Sequence, residues 1–543
     1  MLVGALEVSS ALGETQTWDE GIHLAAGYAY WTRGDFRWNP EHPPLAKLIS
    51  ALPLILLRPE LPVHGSAWTR RDETQMGIDF LYGNRAPADT MLLAARSMTI
   101  LLSVMFVLGV AGWTRRRFGP RAALLTACLC AFDPNLIAHG RYVTTDFPVT
   151  VFYFLAAALW TDYLLSARFR HLVLAALAFA LAMVTKFSAV LLLPALIALY
   201  AIRWLQTPEQ FPLRRTLVAA AALLSSTLLL VAIVYWPETW RCLALDAPPL
   251  AGVVDRHSMT GQTLYRLAIW CRLPAHPFLT GLAKVAAHNE GGHASYLLGM
   301  RSDKGWWYYF PVVFAVKSTI AALACTALLV IAGMGAVRGA RKIAFVWWGL
   351  LIPPAFYFLV SMASAINIGM RHILPVYPFL YVATAAALAR GVVKPAAHYV
   401  MAGLALLQII ECASIAPHYL AFFNALSGGP GSGPQYLVDS NIDWGQDVKK
   451  LGKWLEAHGT RSAYVSYFGN AQMPRYGIDA KNFPDPLDEH GWDTLDGFAV
   501  ASVTPLEGVY VPLNLLARLR LRQPMAKIGW SMYVYDFRRK APH

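Results

Sequence analysis

The chain has 543 residues, of which 56% are hydrophobic and only 15% charged. Soluble domains are about 45–50% apolar and about 25% charged, so a soluble globule of this length is excluded and many membrane-spanning helices are implied. The formal net charge of +13 does not point to nucleic acid, because no basic stripe carries interleaved aromatics and the cations sort by loop instead.

Met1–Gly13 comes first. It is mildly apolar, carries Glu7 and lacks a positive n-region, so it reads as the last turns of a spanning helix whose beginning is absent rather than as a signal peptide. A long polar segment, about 18–90, follows. Within it Leu45–Leu57 is too brief to span and is expected to lie in the interface. Ten apolar runs succeed it, at about 92–113, 122–138, 147–165, 171–185, 187–202, 216–236, 310–333, 343–361, 372–389 and 397–415. The short runs meeting near Lys186 are read as two spans, not one re-entrant pair, because the alternation of loop charge needs both.

Every second connection is basic: Arg115, Arg116, Arg117 and Arg121; Arg168 and Arg170; Arg203, Arg214 and Arg215; Arg338, Arg341 and Lys342; Arg390 and Lys394, with Glu209 the one acid among them. The positive-inside rule puts these loops in the cytoplasm. Aromatics near the run ends (Trp113, Trp160, Trp204, Tyr235, Trp236, Trp306, Trp307) match an interfacial belt. The opposite face then holds the outer loops 18–90, 139–146 and 237–309, and the tail 416–543.

The tail is set off by a Gly/Pro-rich linker, Ser427–Pro434. It alternates expected strands (Tyr436–Asp439, Ala463–Phe468, Phe498–Val503, Lys527–Phe537) with expected helices (Gln446–His458, Leu513–Leu521). The expected fold is a polytopic all-α membrane domain over 1–415 and a small α/β domain over 416–543. Cys128, Cys130, Cys325 and Cys412 fall in apolar runs as small fillers. Cys242 and Cys271 share an outer loop and are candidates for a disulfide if that face is oxidising.

Arg96, Asp133, Lys317 and Glu411 lie near the outer ends of the runs, whereas the middles are nearly free of charge. That pattern suits an enzyme acting on a lipid-anchored substrate at the outer interface. It suits a secondary transporter poorly, since those bind at the midplane. No Gly-x-x-x-x-Gly-Lys-Ser/Thr loop is present to drive the chain with ATP.

Four local groupings carry ionisable side chains. Asp19 and His23 share a helix face at i, i+4, fit for proton transfer or a divalent metal, while Thr17-x-x-Glu20 also reads as a capping box. Arg33–Lys47 is a proline-fixed loop with Glu41 and His42, in which Lys47 also reads as a snorkelling cation. Asp146 opens a span, either as N-cap or as a site acid. Arg371, in Asn367–Pro375, sits at a helix start against the dipole and calls for an anionic partner such as a phosphate. In the tail, Asp439–Asp447 holds three acids, and Asp443-x-x-Gln446 also reads as a helix cap.

Taken in order, Asp19-Glu20-x-x-His23-Leu-Ala-Ala-Gly, Asn39-Pro-Glu-His-Pro-Pro-Leu-Ala-Lys47, Thr145-Asp146, Gly305-Trp-Trp-Tyr-Tyr-Phe-Pro311 with Lys317, Arg371-His-Ile-Leu-Pro-Val-Tyr-Pro378 and Asp439-Ser-Asn-Ile-Asp-Trp-Gly-Gln-Asp447 resemble family 39-type glycosyltransferases. These are GT-C fold enzymes related to protein O-mannosyltransferases and lipid A aminoarabinose transferases. The likeness runs over nearly the whole chain, and the missing first helix departs from it.

The resemblance implies a GT-C-like fold with about ten or eleven spans. It implies a polyprenyl-phosphate sugar donor, transfer on the periplasmic or extracellular face of a bacterial-type inner membrane, and inversion at the anomeric carbon. Asp19 then matches the general base or acceptor binder, with Glu20 and Asp146 as further acids of the site. Arg371 matches the residue on the lipid phosphate, with His42, Lys47, His372 and Lys317 on the donor side. His23 with Asp19 is the candidate pair for a metal, and Asp439, Asp443 and Asp447 are tail residues of the site. The partners implied are the bilayer, the lipid-linked sugar and an acceptor protein, lipid or glycan, with no nucleic acid and no tightly bound cofactor. A flippase of lipid-linked sugars and a non-catalytic scaffold are the alternatives. A flippase moves its substrate uncleaved, and a scaffold tolerates loss of every outer acid.

Overall fold

A computed structural model describes residues 1–238, 276–338, 344–390 and 396–538. Among these residues five helices are long and apolar enough to cross a membrane: Ala88–Phe118, Asp146–Ser166, Phe187–Gln206, Leu213–Val234 and Ala397–Ile415. Two further apolar pairs are bent, Pro120–Ala131 with Pro134–Gly140 by 64° and Tyr309–Lys317 with Ile320–Met334 by 116°. Shorter apolar helices cover Leu2–Leu12, Phe169–Met183, Phe345–Ser361 and Val376–Ala389. Each of the ten apolar runs is therefore a helix or a bent pair, and the chain is a multi-pass membrane protein. The Cys242–Cys271 pairing, and the cations Arg341, Lys342 and Lys394, lie outside the described residues.

Both bends have local causes. At the first, Asp133 caps the second half by accepting from the amides of Asn135 (2.8 Å) and Leu136 (3.0 Å) ahead of Pro134, and Tyr381 donates to its other oxygen. At the second, Thr319 Oγ1 accepts from Ala322 N (3.0 Å), and the Glu411 carboxylate takes the free amides of Ile320 (2.9 Å) and Ala321 (3.3 Å). Asp133 and Glu411 thus satisfy helix ends inside the bundle.

The helix ends sort by charge. Arg117 pairs with Asp162, Arg203 donates to the Leu164 carbonyl (2.9 Å), and Arg390 lies over Phe118 and Trp347 at 5.0 and 5.7 Å. At the opposite ends, Glu20–Arg33, Leu45–Ala51, Leu54–Leu57, Ser66–Arg70 and Glu73–Tyr82 form a helical cap. Helix Glu20–Arg33 crosses its neighbours at glycines. A Cβ on Gly77 would sit 2.7 Å from the Gly21 carbonyl carbon, and one on Gly27 would strike the Lys47 carbonyl. The expected interfacial stretch is two helices, Leu45–Ala51 and Leu54–Leu57, hinged at Pro53. It buries Ala46, Ser50 and Leu54 and leaves Leu52, Ile55, Leu56 and Leu57 exposed.

The tail carries a five-stranded mixed sheet in the order Asp479–Lys481, Ser462–Ser466, Phe498–Ser502, Met532–Asp536, Ala526–Ile528. The first three strands run parallel and the last two antiparallel. Helix Val448–Ala457 buries Val448, Leu451 and Leu455. Several expectations need correction. Tyr436–Asp439 is not a strand: Asp439–Asn441 is a 3-10 turn, because Asn441 and Asp439 bond locally instead of to a neighbour strand. Lys527–Phe537 is a hairpin of two strands, and of Leu513–Leu521 only Ala517–Arg520 is helical. The Ser427–Pro434 segment is packed and turns in 3-10 steps, with Gly433 and Pro434 buried; a Cβ on Gly433 would sit 2.6 Å from the Phe423 ring.

Candidate active site

At the bundle end away from the basic connections, the helical cap, the helix His276–Gly291, the starts of the spans and the tail enclose a cavity of about 1010 Å³. Asp19, His23, Glu41, His42, Asp146, Lys186, Arg371, His372 and Asp439 all line it, from segments far apart in sequence. One part of its wall, with Phe187, Val190, Leu191, Leu282, Val285 and Val360, is apolar.

The centre of the cavity is a charge cluster. Arg371 Nη1 lies 2.7 Å from Asp19 Oδ2 and 3.7 Å from Asp146 Oδ2, and the guanidinium sits over the Trp444 ring at 4.3 Å. Lys186 Nζ holds the other oxygen of Asp146 at 2.5 Å. Two carboxylates and two cations therefore alternate through Asp19, Arg371, Asp146 and Lys186. Arg371 Nε and His372 Nε2 are buried without a hydrogen-bond partner among the described residues. Burial alone would weaken the Arg371 guanidinium, but Asp19 and Asp146 raise its affinity for the proton. The 3-10 turn Met370–Ile373 holds this arginine in place: the Met370 amide donates to Asn441 Oδ1 (3.0 Å), and Ser440 Oγ donates to the Ile368 carbonyl (2.6 Å).

Three imidazoles of the site, those of His23, His42 and His372, are pulled below the usual histidine range. Burial, then His23, Lys186 and Lys47, hold His42 well below the usual histidine range, and burial with Lys186 and Arg371 does the same to His372. His23 is lowered by burial despite Asp19. Its Nδ1 donates to the Val143 carbonyl at 2.8 Å, and its ring meets His42 edge-on at 5.4 Å. Nε2 alone is left to accept, and Asp19 is turned to Arg371. Among the described residues no group of three His, Cys, Asp or Glu side chains is spaced to hold a metal.

Five of the expected site residues lie elsewhere. Glu20 is fully buried: Arg96 grips it bidentately (2.6 and 2.8 Å), and the amides of Thr17 (2.8 Å) and Val143 (3.1 Å) complete its shell. A helix start puts neighbouring side chains about 100° apart, so Asp19 faces the cavity while Glu20 faces the core. Lys47 is buried under the proline loop, donating to the carbonyls of Asn39 (2.7 Å) and His42 (2.7 Å) and to Tyr30 (2.8 Å), and burial pulls it down to about 7. Lys317 donates to the carbonyls of Leu420 (2.8 Å) and Asn441 (2.6 Å), tying the tail entry to a span end. Asp443 accepts from the Thr504 amide (3.0 Å) and burial pushes it up to about 8. Asp447 joins Lys450 and Ser531, both at 2.6 Å.

Other residues of the site were not singled out from sequence. Lys186 had a legible signal, a cation between two outer-ending spans where the charge pattern calls for none. Trp444 stands inside the Asp439–Asp447 motif, whereas His293 and Tyr510 had no signal, since the fold alone brings them to the cavity.

The family model described as dolichyl-phosphate-mannose-protein mannosyltransferase matches residues 89–236, a stretch that includes Asp146 and Lys186. Solved structures similar to the chain include ArnT from Cupriavidus metallidurans bound to undecaprenyl phosphate, at 14% identity over 98% of this chain and 96% of that one, with a TM-score of 0.49. Another is the Archaeoglobus fulgidus oligosaccharyltransferase in complex with zinc and sulfate, at 12% identity over 95% of this chain and 70% of that one, with a TM-score of 0.40. No curated protein matches the sequence.

Proposed function

We propose that the protein is an integral-membrane glycosyltransferase that moves a sugar from a polyprenyl phosphate to an acceptor on the non-cytoplasmic face, with inversion. The observation that carries this reading is the Asp19–Arg371–Asp146–Lys186 cluster, set in a cavity with one apolar wall at the bundle end away from the basic loops. The ordered motifs and the family match over 89–236 support the donor class.

Glycosyl transfer leaves a phosphate with growing negative charge, and fixed cations at that point lower the barrier. Arg371 and Lys186 are suited to that place, with the unpartnered Nε of Arg371 as a free donor. Asp19 and Arg371 neutralise each other across 2.7 Å. A phosphate that engages Arg371 competes with Asp19 and releases its carboxylate to take the proton of the acceptor hydroxyl, so donor binding arms the base. Asp146, held by Lys186, keeps both cations in position.

Binding of a radiolabelled polyprenyl phosphate to the full chain in nanodiscs tests this assignment. Arg371→Ala and Lys186→Met are expected to weaken binding by about tenfold or more each, on the scale of one lost charge-assisted hydrogen bond. Equal affinity in all three proteins contradicts it.

A further inference from the structure

We propose that the tail builds the acceptor subsite of this cavity and that the acceptor is a carbohydrate ring seated against Tyr510. The inference rests on the transferase reading and extends it to the second substrate.

Three aromatic rings form a continuous stack along the cavity wall. Trp18, the neighbour of Asp19, lies parallel to Phe468 (centroids 5.1 Å apart, 16° between planes), and Phe468 lies parallel to Tyr510 (5.2 Å, 10°). The stack leads from the tail to the residue beside the proposed base. Tyr510 ends it, lines the cavity and remains 46% exposed.

The polar end of Tyr510 is fixed. Its hydroxyl donates to Asp439 Oδ2 at 2.7 Å and faces His293 Nε2 at 2.8 Å. Both members of the Tyr510–Asp439 bond hold left-handed backbone, with φ of +64° and +58°. Asp tolerates that conformation better than most residues, but for a bulky ring such as Tyr510 it is an outlier, and such strain gathers at ligand sites. Here it aims a ring and a carboxylate into one cavity from two separate turns of the tail.

A ring face bordered by a carboxylate and an imidazole suits a pyranose, whose C–H face is apolar and whose edge carries hydroxyls. An extended peptide is served less well. Recognition of such a chain leans on pairing with an open strand edge, and neither edge strand of the sheet, Asp479–Lys481 or Ala526–Ile528, lines the cavity.

The test uses the full chain in nanodiscs with a polyprenyl-phosphate sugar, a set of disaccharides and a Ser/Thr-rich peptide as acceptors. Tyr510→Ala and Phe468→Ala are expected to raise the acceptor KM about tenfold while kcat stays within about threefold and the donor KM is unmoved. Tyr510→Phe, which keeps the ring and its packing, should restore most of the loss. An unchanged acceptor KM, an equal rise in donor KM, or transfer to the peptide alone overturns the proposal. If the parent releases no sugar from any lipid donor, the transferase reading falls by itself. Saturation-transfer NMR with chitobiose then decides the subsite: a signal lost in Tyr510→Ala supports it, and no signal from the parent sinks it.

Discussion

Between Asp19 and Glu20 the chain enters a helix, and that turn sends one carboxylate into the cavity and the other into a fully buried pair with Arg96. The two substitutions should therefore part company. Glu20→Gln leaves Arg96 buried and uncompensated, a loss of about 3–5 kcal/mol that a thermal melt in detergent should register. Asp19→Asn should leave the melt nearly unchanged and lower transfer by about 10²–10⁴-fold, the usual worth of a positioned base. Titration separates two other acids. Burial would raise Glu14, but Arg141 overrides it and holds it to about 2. Its contribution is present above its ordinary value of 4.5 and lost as pH falls toward 2. Asp443 runs the other way: raised by burial to about 8, it contributes most below its ordinary 3.8, and that share is lost as pH rises through 8. Asp443→Asn should therefore remove the fall in stability between about pH 4 and 8 and keep activity. That Asp19, Asp146 and Arg371 belong together was legible from their motifs, and the fold brings them to one cavity. The motifs misled at Glu20, Lys47 and Lys317, because sequence names a charge without saying whether the fold turns it to a cavity or to a carbonyl.

Elements were more legible than side chains. A span must be long, apolar and bounded by charge, so each of the ten runs appears as helix, and the short runs that meet near Lys186 are two helices as the loop charges required. The bends at Asp133 and at Ser318–Thr319 were not legible. Asp133 caps the first locally and is held by Tyr381, and the second takes its cap from Glu411 on another helix. The tail departs from expectation at two elements: Asp439–Asn441 turns through local bonds and presents Asn441 to the Met370 amide, and of Leu513–Leu521 only Ala517–Arg520 is helical. Close helix crossings offer a direct test. Gly77 and Gly27 admit no side chain against Gly21 and Lys47, so Gly77→Val should destabilise the cap by about 1–3 kcal/mol, read by protease sensitivity of the first outer segment. An unaffected variant would mean the two helices do not cross as described.

Across the whole molecule, the basic helix ends and the cavity occupy opposite ends of one bundle, and the tail closes the cavity while the membrane-spanning helices hold Arg371 and Asp146 beneath it. Reporter fusions should therefore give opposite topologies after Arg168 and at the chain's end, with alkaline phosphatase active only in the second. The overall plan was legible because hydropathy and loop charge act over long stretches. The meeting of the tail with the first outer loop was not, because no local pattern encodes contacts such as the Trp444 carbonyl with the Trp18 amide (2.9 Å). On the proposed reading, the Asp19–Arg371 pair is separated by a lipid phosphate during sugar transfer. Sugar release from a panel of polyprenyl-phosphate sugars by the full chain in nanodiscs, beside Asp19→Asn and Arg371→Ala, tests it. Turnover by the parent with inverted anomeric product, loss of kcat in Asp19→Asn and loss of donor affinity in Arg371→Ala are the predicted results. Transport of the lipid-linked sugar without cleavage, or full turnover in Asp19→Asn, would contradict the account.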